Sequence, residues 1–304
     1  MSCASRVLFN TFNQDFSCFA CGLDDGFRIY DVDPLKQKCS EKLNGGIGKI
    51  EMLFQCNYIA LVGGGRVPAF ATNKVIIWDI LQHRKVLELE MSDDVLAVRL
   101  RRDRIVVVLD TFIHIFSFTD RPKKLQVFVS SRNPRGICCL CSASENSILA
   151  FPASSSSSAV CCITLSNPDA PPRIMNAHQR PLSAIALNVT GEQLATSSEK
   201  GTIIRIFNTR TCDLLKELRR GTNPASIFCP LKKLTFFGEV SVSRFQLPFP
   251  SKHTDFCLCS FGPQPNSVIV VSSDGSYCKF NFYSGRGECS RQTCLLYLEM
   301  TNNY

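Results

Sequence analysis

Apolar residues in this chain come in short alternating runs, each introduced by a glycine or a small polar turn. The arrangement recurs as Asp25-Gly26-Phe27-Arg28-Ile29-Tyr30-Asp31, Asn73-Lys74-Val75-Ile76-Ile77-Trp78-Asp79, Thr111-Phe112-Ile113-His114-Ile115-Phe116, Lys200-Gly201-Thr202-Ile203-Ile204-Arg205-Ile206-Phe207 and Asp274-Gly275-Ser276-Tyr277-Cys278-Lys279-Phe280. Alternation with a period of two is the mark of a half-buried strand. Most of these runs follow a more apolar strand: Tyr58 to Val62, Arg104 to Leu109, Glu192 to Ser198 and Ser267 to Ser272. The first three units begin at Phe27, Val75 and Phe112, spaced 48 and 37 residues apart. Several short strands per unit, repeating at roughly 40–45 residues, predict one β-propeller blade per unit. Helical periodicity is not sustained over any long window, so the expected fold is all-β.

The rhythm breaks once. A fourth blade is expected around Gly136 to Arg173, with Ser154 to Ser158 as a loose low-complexity hairpin loop, and a fifth from Pro181 to Leu218. From Ile203 to Tyr277 is 74 residues, less than two periods. The interval after Gly221 holds a poor strand candidate at Ser226 to Cys229, a basic aromatic stretch at Lys232 to Phe237, and Glu239 to Leu247. No turn-plus-strand unit occurs there. The expectation is a single propeller domain over 1–304 whose sixth blade is incomplete over about 222–253, with poorly paired strand edges near Ser226 to Leu247. The last blade then runs from Phe256 to Met300.

Composition narrows the class. Hydrophobic residues form 45% of the 304 and charged residues 20%, enough for a core and too apolar for wholesale disorder. The net charge of +8 favours anionic partners, phospholipid or nucleic acid. Met1 to Phe12 lacks the apolar run of a signal peptide, and no stretch approaches 18 uninterrupted apolar residues. A cytosolic chain is expected, meeting membranes only peripherally. Its 17 cysteines then read as reduced thiols acting as small hydrophobes. Cys18 and Cys21 fall on opposite faces of one strand, wrong for chelation, and no His/Cys pair at zinc-finger spacing follows Cys139/Cys141 or Cys257/Cys259. No metal site and no cofactor are expected.

Leu218-Arg219-Arg220-Gly221 closes the strand Cys212 to Leu218 just before a turn at Thr222-Asn223-Pro224. Neighbouring residues on a strand point to opposite faces, so each guanidinium could serve its own pocket, with a planar fork of donors suited to phosphate oxygens. The alternative is a solvated strand end carrying two charges. The run Arg99, Arg101, Arg102, Arg104 reads as a solvated edge. His83, His114, His178 and His253 are scattered, no nucleophile–base arrangement has motif support, and Gly63-Gly64-Gly65 leads to Pro68 rather than to a helix, so no catalytic residue is assigned. A nucleic-acid reading lacks a platform of interleaved aromatic and basic residues.

Leu218-Arg219-Arg220-Gly221 resembles the F/L-R-R-G motif of the WIPI family of phosphoinositide-binding WD-repeat propellers, also called PROPPINs. Phe12-Asn13-Gln14-Asp15, Ala60 to Gly65, Leu100 to Asp110, Asn176-Ala177-His178 and Ser198-Glu199-Lys200-Gly201-Thr202 match further stretches of that family, in order, and together resemble its short, WIPI3-like branch. The resemblance implies a seven-bladed-type WD40 propeller that binds phosphatidylinositol 3-phosphate and phosphatidylinositol 3,5-bisphosphate through two rim pockets beside the paired arginines. His178, Ser198, Thr202, Arg205 and Arg219 match one pocket; taken singly, the histidine and the hydroxyls are also ordinary turn residues. Arg220 is implied for the second pocket, whose other ligands and membrane-inserting loop the family draws from blade six and which are not found here. Phe236, Phe237 and Phe249 read as packing into the remnant blade. Asn13 and Asp15 resemble residues that contact an Atg2-type lipid-transfer protein, though Asn and Asp also favour plain turns.

The expected function is that of a monomeric, non-catalytic effector. It would read 3-phosphorylated inositides on preautophagosomal and endosomal or lysosomal membranes and scaffold autophagy proteins, without binding nucleic acid. The alternative is a protein–protein scaffold on the same propeller, with lipid affinity lost or weakened by the blade-six gap.

Overall fold

The computed structural model describes residues 5–224, 243–244, 256–264, 266–282 and 287–300. Among them are six four-stranded sheets, in each of which the strands lie side by side in chain order. The blades start at Val7, Ile47, Ala97, Cys139, Leu182 and Cys257 and end at Lys42, Glu90, Val129, Met175, Arg219 and Leu296. Within most blades the inner strands are buried and the fourth is the most exposed. In blade one Cys18–Leu23 is buried throughout, while Lys36–Lys42 alternates exposed and half-buried positions. Charged residues on the outermost strand keep its open edge from pairing with another chain. The turns use the expected chemistry: Gly26 and Gly201 sit at φ 141° and 61°, where a side chain would be strained.

Among the described residues six blades stand where seven, the sixth incomplete, were expected. Blade starts elsewhere are 40 to 50 residues apart, and the 75 residues from Leu182 to Cys257 fall short of two such steps. Between Pro224 and Phe256 only Ser243–Arg244 are described, paired in parallel with Gly287–Glu288. The remainder of 222–253, including the expected strand edges, Phe236, Phe237 and Phe249, lies outside the described residues.

The chain forms two compact units, Met1–Val98 with Val242–Tyr304, and Arg99–Ser241. In the first, one core joins blades one and two through Ala20, Phe27, Ile29, Ile47, Ile50 and Ile76. A second joins blade one to the C-terminal blade through Phe19, Tyr30, Tyr277 and Tyr297. There the Tyr297 hydroxyl bonds Asn10 Oδ1 and the Ser272 carbonyl at 3.2 Å each, and the Tyr277 hydroxyl donates to the Val32 carbonyl at 2.8 Å. Cys18 belongs to the first core and Cys21 to the second, so the two thiols do face opposite sides of their strand. Burial pushes the Cys21 thiol up to about 12. One pair departs from the expectation of reduced thiols: Cys278 and Cys294, directly opposite on neighbouring strands, form a disulfide.

The second unit corrects two further expectations. The serine run is not a loose loop: the nine-residue strand Ser156–Thr164 includes its last three serines, and the hairpin turns at Ser154 and Ser155. The Ser156 and Ser158 hydroxyls bond each other at 2.9 Å, which lets serines line a strand. Arg101 is not a solvated edge residue. It is 8% exposed and its guanidinium donates to Asp103 Oδ1 at 2.9 Å and to the carbonyls of Asn146 at 2.8 Å, Ser144 at 3.0 Å and Cys141 at 3.2 Å. A loop of blade four thus closes around a blade-three side chain, and satisfied donors let the charge be buried.

Candidate functional site

The fifth blade is built from Leu182–Leu187, Gln193–Ser198, Ile203–Asn208 and Leu214–Arg219. Thr196 pairs with Arg205, Arg205 with Glu217 and Ile203 with Arg219. Because side chains alternate along a strand, Thr196, Ser198, Ile203, Arg205, Glu217 and Arg219 share one face. Pairing therefore gathers Ser198, Arg205 and Arg219, three of the residues proposed from sequence.

Their states differ. Arg219 is exposed, and its guanidinium makes no hydrogen bond or ion pair among the described residues. Ser198 and Thr202 are each 8% exposed, and neither hydroxyl has a partner among the described residues. Their backbones hold the turn: Gly201 N–H donates to the Ser198 carbonyl at 2.8 Å, and Arg220 N–H to the Thr202 carbonyl at 2.9 Å. Arg205 is occupied, with Nε 2.9 Å from Glu217 Oε2 and Nη1 2.7 Å from the Ala177 carbonyl. His178 Nε2 lies 3.0 Å from Thr196 Oγ1, whose own proton is directed at the Arg205 carbonyl. This arrangement suits Nε2 as the donor to Thr196. Burial first, then the Arg205 charge, hold the His178 pKa below its ordinary value. The imidazole joins the face by fixing Thr196.

Arg220 lies past the strand end, and its guanidinium turns back onto the carbonyls of Gly201 and Asn223. The two arginines are thus separated in role as well as in direction: one is held, the other uncommitted. Sequence reasoning passed over Thr196, Ala177 and Glu217. Period-two alternation marks Glu217 and Thr196, each two residues from a residue already singled out; the Ala177 carbonyl leaves no side-chain signal at all.

The proposed partner residues lie in the other unit. Asn13 is 1% exposed, and its side chain bonds the Cys18 N–H at 3.1 Å, Ser17 Oγ at 3.0 Å and the Phe54 carbonyl at 3.3 Å. Asp15 is exposed and accepts from the Ser17 N–H at 3.0 Å and hydroxyl at 2.6 Å. The turn built by Asn13 presents Asp15. Among the described residues no three His, Cys, Asp or Glu side chains converge as metal ligands, and no helix is long and apolar enough to cross a membrane.

A profile of the PROPPIN family matches residues 5–235, most of the chain. The chain belongs to the PROPPIN family. This PROPPIN is 39% identical over 229 residues to SVP1-like protein 2 of Pichia angusta, covering 73% of this chain and 62% of that one. It is 38% identical over 245 residues to autophagy-related protein 18 of Yarrowia lipolytica, covering 74% and 61%. Hsv2 of Kluyveromyces lactis superposes with a TM-score of 0.82 at 23% identity over 96% of this chain and 99% of that one, which shows the β-propeller fold. The chain spans 54–62% of the length of the first curated relatives it matches. The match to the PROPPIN profile stops at residue 235, inside the interval where the strand rhythm breaks.

Proposed function

We propose that this PROPPIN is a non-catalytic effector that captures phosphatidylinositol 3-phosphate and phosphatidylinositol 3,5-bisphosphate head groups on the fifth blade. It does so on preautophagosomal and endosomal or lysosomal membranes, as a cytoplasmic, peripheral, monomeric protein of the short, WIPI3-like branch. The supporting observation is the set of unused donors: an uncommitted Arg219 and the free hydroxyls of Ser198 and Thr202, beside Arg205 on the same blade. A phosphate monoester bearing nearly two negative charges and three acceptor oxygens suits such donors. The net charge of +8 adds diffuse attraction to an anionic surface. In this role the exposed Asp15 carries the contact to an Atg2-type lipid-transfer protein, with Asn13 shaping its turn.

Liposome flotation with and without phosphatidylinositol 3-phosphate tests the lipid reading. Retention that depends on the 3-phosphoinositide supports it; equal retention on both vesicle sets, or none, defeats it. The second reading is a protein scaffold with weak lipid affinity. It is favoured by the Arg205–Glu217 pair, which keeps one expected phosphate donor occupied.

A further inference from the structure

The carboxylate of Glu217 shares the face of the proposed anion site. It pairs directly across the strands from Arg205 and sits two residues before Arg219, on the same face as both. Its oxygen lies 2.9 Å from Arg205 Nε, while Arg205 Nη1 is held separately by the Ala177 carbonyl at 2.7 Å. The guanidinium therefore keeps a backbone anchor when the carboxylate lets go. The side chains are 29% and 36% exposed, so an incoming anion reaches the pair without unfolding anything.

We infer, building on the head-group role proposed above, that Glu217 is an internal counter-anion that sets the charge selectivity of the site. It holds Arg205 against singly charged head groups and yields it to a phosphate monoester. A partly exposed ion pair is weak, so a ligand of greater charge density displaces it. A guanidinium–phosphate contact is charge-assisted and can be bidentate. Phosphatidylserine, with one net negative charge, offers Arg205 no more than Glu217 already does. A 3-phosphate with nearly two charges offers more, and Arg219 with the hydroxyl of Ser198, on the same face, adds to its coordination. Selectivity here comes from a repulsive element that the wrong ligand cannot overcome.

The test is Glu217→Gln, which removes the charge and keeps an acceptor oxygen for Arg205. Asp213→Asn serves as control: it makes the same change in net charge at an exposed residue of the same blade, outside the site. Both are compared with wild type on vesicles containing phosphatidylserine alone and on vesicles containing phosphatidylinositol 3-phosphate. Glu217→Gln is expected to raise retention on phosphatidylserine about fivefold and on the 3-phosphoinositide no more than about twofold, with little change in Asp213→Asn. Equal gains on both vesicle types, matched by the control, would reduce Glu217 to a diffuse charge and overturn the inference. Loss on both would make it a mere orienting group for Arg205 and overturn it as well. If wild type ignores the 3-phosphoinositide but Glu217→Gln binds it, the counter-anion stands and the lipid role of the natural chain falls. If neither binds, both fall.

Discussion

Arg101 and Arg219 carry the same side chain in the same compact unit, and both come from basic runs at a strand end. Their fates are opposite. Arg101 is buried and bonded to one carboxylate and three backbone carbonyls. The Arg219 guanidinium is exposed and bonded to nothing among the described residues. The difference lies in the neighbours: blade four sends a loop of carbonyls around Arg101, and no described carbonyl meets the Arg219 guanidinium. A guanidinium becomes structural when backbone acceptors surround it, and remains a recognition element when they do not.

The largest effect should come from the buried member. Arg101→Ala leaves the carbonyls of Cys141, Ser144 and Asn146 without this donor, while Asp103 keeps its ion pair with Arg104 at 3.0 Å, and should cost about 2–4 kcal/mol of stability. Urea unfolding measures this; a loss below about 1 kcal/mol would remove the distinction between the two arginines. Lipid retention per folded molecule should be unchanged. Arg219→Ala should do the reverse: stability moves by less than about 0.5 kcal/mol, while retention on 3-phosphoinositide vesicles falls roughly ten- to hundredfold. Equal unfolding midpoints with equal retention would show that Arg219 is only a solvated charge.

Asp15→Ala tests the partner contact. Binding to an Atg2-type protein, measured in solution, should fall roughly tenfold, the worth of one charged hydrogen bond. Lipid retention should hold, because the two places share no ligand. Loss of both activities together would point to a damaged turn. Arg220→Ala sharpens the comparison from the other side. Its guanidinium is held by the Gly201 and Asn223 carbonyls, so retention should drop only about fivefold, the effect of a diffuse charge of about 1 kcal/mol near the membrane. The residual binding of Arg219→Ala should be strongly salt-sensitive, and a loss in Arg220→Ala as deep as in Arg219→Ala would mean a second pocket.

The smallest effect is a pH dependence. The folded chain depresses the His178 pKa below its ordinary value of 6.5. Below that value the unfolded chain takes up a proton that the folded chain resists. The neutral ring's contribution is therefore complete above about pH 6.5 and declines as the pH falls further. The stability difference between wild type and His178→Asn should narrow on going from pH 7.5 to 5.5, read from thermal midpoints. A difference that stays constant would place the imidazole in an ordinary solvated setting.

The inner strands were legible because burial on one or both faces forces a run such as Val75 to Trp78 or Ile105 to Leu109 to be apolar. The outer strands Lys36–Lys42 and Arg84–Glu90 were not, because a solvated edge imposes little beyond polarity. The propeller class was legible and the blade count was not, for a related reason: rhythm signals missing residues without saying how many sheets form without them. At the site, side chains of the motif could be found by type and order. What Arg101 and Arg205 actually touch could not, since carbonyls such as those of Ser144 and Ala177 belong to every residue and mark no sequence position. Cys278 and Cys294 lie 16 residues apart in a chain rich in cysteine, and only strand register shows that they face each other.

Blade one and the C-terminal blade share the core that contains Phe19, Tyr30, Tyr277 and Tyr297, and the bond from Tyr297 to Asn10 spans 287 residues. During synthesis the blade-one side of that aromatic core emerges 287 residues ahead of its partner. At about 5–20 residues per second the wait is roughly fifteen seconds to a minute. Non-local closure of this kind is slow even once the residues are present. The early strands leave the ribosome as an uncovered apolar surface, and the molecule's exposure to misassembly is set by the time taken to make its far end.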